Sequence, residues 1–121
     1  MANNPQLTKE QREETFAPLF ERVVSDLKNC SGNDARVMWA LRRKLAKELV
    51  YLERSTPAAR NKLKALMWAK QKGHCALCRK AMPQKGSELD RFEAYLGYVE
   101  SNVRLVHHEC HIKDQASKGY A

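Results

Sequence analysis

The chain has 121 residues, 43% of them apolar and nine aromatic, which suits one ordinary domain with a core and excludes a low-complexity or disordered chain. Its 22 basic and 14 acidic side chains leave a net charge of +8, so an anionic partner is the first expectation. No apolar stretch approaches the roughly 18 residues of a membrane span, and the opening MANNPQLTKEQREE lacks the apolar run of a secretory signal, so a soluble, cytoplasmic protein is expected.

The first half reads as helices. Thr8 with Gln11 three residues on is a capping-box pattern. Phe16, Phe20, Val23, Val24 and Leu27 then recur at helical spacing, and Pro18 predicts a kink or restart within that run. Asn29 to Asn33 is turn-like and ends the helix, leaving Cys30 as a bystander. Asp34 is placed to cap a second helix with Val37, Met38, Leu41, Leu45, Leu49 and Leu52 on one face. Ser55-Thr56-Pro57 closes it and opens a third, with Leu63, Leu66 and Met67 facing inward and Gly73 ending it. Trp39 and Trp68 read as core or inter-helix contacts.

The third helix also carries the charge. Residues 54–87 hold nine basic side chains and no acidic one, whereas the segments on either side mix both signs. A one-sign stretch of this length points to nucleic acid, and Arg60, Lys62, Lys64, Lys70, Lys72, Arg79 and Lys80 are the expected DNA contacts, mainly to phosphates. A membrane surface fits less well, because no large aromatic face lies opposite the lysines.

After Gly73 the texture changes to turn formers, short β-rich runs and metal-type residues. Ser87 to Phe92 and Asn102 to Val106 are candidate strands, with Gly97 in the loop between them, and residues from His108 onward form a final short helix. The expected architecture is α+β and mostly α. A helical region over residues 1–72 is followed by a small zinc-stabilised module over 73–121.

Four cysteines and no secretory signal favour metal over disulfides. Cys75-x-x-Cys78, 28 intervening residues and His107-x-x-Cys110 form two ligand pairs of equal spacing. Four such donors close a tetrahedral zinc site with no open position, which makes the metal structural. The spacing to Cys110 favours His107 over His108. If the last helix forms, His111 lies about 100° around from Cys110. It then points away from the zinc and toward the strand carrying Asp90, where a carboxylate and an imidazole are suited to a second divalent ion. Taken singly, Asp90 reads better as a surface acid and His111 as a capping or surface group.

Gly73-His-Cys-Ala-Leu-Cys78, Glu88-Leu-Asp-Arg91, Gly97-Tyr98 followed by Asn102, and Leu105-Val-His-His-Glu-Cys-His111 together resemble the HNH endonuclease family, whose module has the ββα-metal (His-Me finger) fold. The resemblance covers about Gly73 to Gln115 and does not extend into the helical first half. It implies metal-dependent phosphodiester hydrolysis in DNA, nicking or cleavage, and a bacterial or phage origin. It also implies that Asp90 and His111 hold one catalytic divalent ion, Mg²⁺, Mn²⁺ or Ni²⁺, and that Asn102 orients the general base through the backbone. The family's general-base histidine falls on Arg91, which has no acceptor for a proton but has donors for a phosphate. The base would then be another group, among His74, His108, Glu88, Glu93, Tyr95 and Tyr98. The alternative is an HNH-like zinc module that binds DNA without cutting it.

Overall fold

The computed structural model of the chain describes residues 4–118, so both outer ends of the two expected regions, 1–3 and 119–121, lie outside it. The fold is α+β and mostly α: five α-helices and one two-stranded antiparallel sheet among the described residues. Two compact units divide within the last turn of the second long helix, between Leu52 and Glu53. The helix at 57–70, expected with the helical first half, therefore stands in the same unit as the metal-type residues.

The unit Pro5–Leu52 is a pair of helices. Helix α1 (Lys9–Gln11) opens with the expected box, in which the Thr8 hydroxyl accepts from the Gln11 N–H and the Gln11 side chain accepts from the Thr8 N–H, both at 3.0 Å. A π-type turn over Arg12–Phe16 leads into α2 (Ala17–Ser31). The break expected at Pro18 thus takes the form of a widened turn just ahead of it. Pro18 has no N–H to donate and its ring crowds the carbonyl four residues back, so the backbone opens there rather than bending sharply. Gly32 in the left-handed region ends α2. The Asp34 carboxylate then caps α3 (Ala35–Arg54), accepting from Arg36 at 2.9 Å and Val37 at 3.3 Å. Apolar side chains fall at helical spacing on both helices, yet Ser31 is the only buried residue of this unit among the described residues. Trp39, expected in a helix contact, is 56% exposed under the Arg43 guanidinium, and Leu52 is 83% exposed.

The unit from Glu53 onward holds the core. Helix α4 (Pro57–Lys70) is capped by Thr56, whose hydroxyl accepts from Ala59 N–H at 3.2 Å. Leu63 and Met67 face the core, but Leu66, expected beside them, is 44% exposed. Strands β1 (Glu88–Arg91) and β2 (Val103–Val106) pair with Leu89 opposite Leu105 and Asp90 opposite Arg104. Asn102, expected to open the second strand, ends the short 3₁₀ turn before it. Helix α5 (His108–Ser117) packs back on β1, which completes a ββα unit. Met67, Cys75, Met82, Val103, Leu105 and Val106 are the buried apolar cluster, with Trp68, Leu77, Leu89 and Tyr98 packed around it.

Two contacts fasten α4 to this cluster. The Gln71 carboxamide accepts from Leu105 N–H at 2.8 Å and donates to the Leu105 carbonyl at 2.9 Å, pairing with β2 as a strand neighbour would. The Trp68 indole donates to the Met82 carbonyl at 2.9 Å. Gly73, with φ +70, lies against that ring, and a Cβ there would meet it at 2.9 Å. The glycine thus serves both the left-handed turn and the seat of Trp68.

Candidate metal centre and adjoining cleft

Just after α4 the chain makes a tight hairpin. Cys75 N–H donates to the Lys80 carbonyl at 2.9 Å, Met82 N–H donates to the Gly73 carbonyl at 2.8 Å, and His74 bridges Ala81. Arg79 adopts φ 66 at its tip. The turn brings Cys75 and Cys78 onto one side. The end of β2 and the first turn of α5 bring His107 and Cys110 to the same place. One ligand atom from each of the four lies within 4.8 Å of all the others, a group that could hold a metal ion. The four residues expected from the spacing thus come together, with His107 in the group and the adjacent His108 exposed and paired with Glu88.

The surroundings fit a thiolate–imidazole centre. His107 Nδ1 faces Cys78 Sγ at 3.3 Å and Cys110 Sγ at 3.8 Å, while its Nε2 lies 3.3 Å from the Ala81 carbonyl. Donation from Nε2 leaves the Nδ1 lone pair for a metal. Burial raises the Cys75 thiol, but backbone N–H groups of Cys78, His107 and Leu77 outweigh it and bring the pKa down to about 6. Cys110 moves the other way, to about 11, through burial and then through its neighbours Cys78 and Cys75. Three crowded thiols thus resist losing all their protons together, a resistance that a bound cation removes. Three cysteines and one histidine are a donor set that zinc takes.

A second constellation lies on the face of β1 that meets α5. Glu88 and Asp90, two residues apart on a pleated strand, project to the same side. His111, one residue beyond Cys110, sits between them. Its Nδ1 pairs with Glu88 Oε2, and its Nε2 lies 3.5 Å from Asp90 Oδ1. Cys110 and His111 thus serve different places, as the angular argument required. Glu88 also pairs through Oε1 with His108. Burial works to raise the Glu88 pKa, but the hydrogen bonds from His111 and His108 prevail and hold it below the usual carboxylate range, and Glu88 in turn raises His108. Asp90 is only 3% exposed. Its Oδ2 accepts from Arg104 Nε at 2.8 Å, and Arg104 also reaches Asp114 at 3.1 Å. Asp90 Oδ1 has only long partners, His111 and the Gln115 amide, both at 3.5 Å.

Asp90, Arg91, Tyr98 and His111 line one cleft of about 330 Å³. Arg91 is held rather than free: its NH1 donates to the Ala94 carbonyl at 3.0 Å and its guanidinium covers the Tyr98 ring at 4.7 Å. Asn102 is buried behind the loop that follows Arg91. Its carbonyl oxygen accepts from Glu93 N–H at 3.1 Å, and its amide donates to the Glu93 and Gly97 carbonyls at 2.8 and 2.7 Å. All three of these hydrogen bonds go to backbone groups, so the side chain fastens that loop. Among the other candidate bases, His74, Glu93 and Tyr95 are exposed, and Tyr98 lies under Arg91.

The seven basic residues differ in how far they are engaged within the fold. Arg60 donates to the Arg54 and Ser55 carbonyls at 3.0 and 2.6 Å, so it caps the end of α3. Lys70 is paired with Glu100 at 2.6 Å. Lys62 lies about 200° around α4 from Arg60, and Lys64 is half-buried. Lys62, Lys72, Arg79 and Lys80 are exposed, the last three beside the metal group.

Sequence reasoning missed Arg104, Gln71 and Gln115 and did not pair Glu88 with His111. The pairing of Asp90 with Arg104 follows from the strand register, which no local pattern announces. Glu88 did carry a signal, its period-two spacing from Asp90. Comparison with known protein families, with curated proteins and with solved structures finds no match to this chain. Among the described residues, no helix is long and apolar enough to cross a membrane.

Proposed function

We propose that this chain is a metal-dependent DNA endonuclease of the HNH kind, with a structural zinc at Cys75, Cys78, His107 and Cys110. The observation that carries the reading is His111. It follows a residue of the Cys/His group directly, yet turns its Nε2 toward Asp90 across a ββα unit. A merely structural zinc module has no use for that second convergence.

The residues fit a divalent ion. Asp90 Oδ1 has no close donor, and Glu88 on His111 Nδ1 fixes the ring with Nε2 toward Asp90. Asp90 and His111 would hold Mg²⁺, Mn²⁺ or Ni²⁺, which supplies Lewis acidity toward a phosphodiester and its leaving oxygen. Arg104 balances the buried Asp90 carboxylate. Arg91, seated on Tyr98 at the rim of the cleft, presents its remaining N–H donors to a phosphate oxygen. Asn102 ties the following loop in place, which fixes where that guanidinium sits. Lys62, Lys72, Arg79 and Lys80 are the exposed cations for the DNA backbone, whereas Arg60 and Lys70 are engaged within the fold.

A second reading, DNA binding without cutting, draws on the Arg104–Asp90 pair and on the Arg91–Ala94 contact, since both occupy groups that chemistry would use. Plasmid nicking separates the two. The enzyme reading expects relaxed circles with Mg²⁺, Mn²⁺ or Ni²⁺ and none with EDTA. Salt-sensitive binding with no nicking under any of these ions establishes the second reading.

A further inference from the structure

The helix pair Pro5–Leu52 has more apolar surface than it can cover. Among its described residues no apolar side chain is buried, and between the two helices runs an open apolar groove of about 750 Å³. Phe16 and Phe20 stack at 5.7 Å along it and are 47% and 55% exposed, and Leu49 across from them is 55% exposed. Two helices without a third layer form no core, whereas four do.

We infer that this face is the site of self-association, with the helix pair of a second copy closing the groove into a four-helix bundle. Two observations favour a second copy over a foreign partner. The first is charge. Residues 9–21 carry four acidic side chains against two basic, while 35–52 carry five basic, Arg36, Arg42, Arg43, Lys44 and Lys47, against one acidic. A two-fold arrangement sets the acidic half of one copy against the basic helix of the other, twice, so the surface is complementary to itself. The second is size. A face two helices wide and about 30 Å long has a footprint of about 600 Å² per copy, about 1,200 Å² for the pair, which lies within the range of a specific interface.

The test is sedimentation equilibrium of the full zinc-loaded chain across micromolar concentrations. The expected species has twice the 13.9 kDa chain mass. Phe20→Glu puts a charge into the groove of both copies and should weaken association about 100-fold or more while zinc content stays at the wild-type value. Because that variant also risks the helix itself, a second variant acts on charge alone. Glu14→Lys with Glu21→Lys, both exposed, should weaken association and reduce its dependence on salt, with helical circular dichroism retained at saturating concentration. A wild-type monomer at all concentrations overturns the inference and assigns the groove to another partner. So does a dimer that both variants leave intact, or one that dissociates only when a chelator removes the metal.

Discussion

Replacing Asn102 by Ala removes one acceptor and two donors from a buried position. Glu93 N–H, Glu93 C=O and Gly97 C=O lose their partners together. An unmade hydrogen bond at a buried group costs about 1–3 kcal/mol. Glu93 and Gly97 lie near enough to the surface for water to replace part of that loss, which leaves about 2–4 kcal/mol for the three. For a unit of this size the loss lowers Tm by about 15–30 °C. Asn102→Asp sharpens the test. It keeps the acceptor for Glu93 N–H but turns a carboxylate oxygen toward two carbonyls, so it should destabilise at least as much as Ala despite being nearly isosteric. The assay is urea unfolding of the zinc-loaded protein, followed by the fluorescence of Trp68 in a Trp39→Phe background. Trp68 packs on the core and Trp39 is exposed, so the signal reports the relevant unit. A loss under about 0.5 kcal/mol for Ala, or a wild-type midpoint for Asp, would refute the claim that this amide holds the loop.

Cys78→Ser should abolish tight zinc binding, measured by elemental analysis, and unfold the unit from Glu53 onward, because metal binding there is part of the folding free energy. Glu88→Gln should change the pH dependence of stability, read as the urea midpoint difference from wild type. Glu88 is lowered, so its contribution is present above its unfolded value and lost as pH falls through its folded one; His108 is raised, so its contribution is present below its unfolded value and lost as pH rises through its folded one. The wild-type advantage should therefore peak between about pH 4.3 and about 6.5 and shrink above that; an advantage that is flat from pH 6 to 9 contradicts the network. Arg91→Ala should lower the nicking rate about 10²-fold by removing a transition-state contact, and Arg91→His should be impaired as well. A silent wild type switched on by Arg91→His would show instead that the base is missing.

The parts of the fold legible in the sequence are those set by local chemistry. Thr8, Asp34 and Thr56 cap their helices as their neighbours dictate, and the two x-x-spaced pairs meet because a tight hairpin and a helix start each bring their own pair to one side. His111 was placed by helical angle alone. The contacts that sequence could not show are those fixed by register and by tertiary packing. Arg104 reaches Asp90 only because β1 and β2 pair as they do, and Gln71 reaches β2 across 34 residues. The basic stretch was legible only as charge: sign along a chain does not say which side chains also bond within the fold, as Arg60 does to carbonyls and Lys70 to a carboxylate. The apolar periodicity of the first two helices was real, but periodicity cannot tell a covered face from an open one.

The most direct measurement of the central claim takes both readouts from one preparation of His111→Ala: zinc per chain by elemental analysis, and plasmid nicking with Mg²⁺, Mn²⁺ or Ni²⁺. The account predicts one zinc per chain, as in wild type, and no nicking where wild type nicks. Loss of the zinc, or nicking at the wild-type rate, would contradict the assignment of Cys110 and His111 to separate sites.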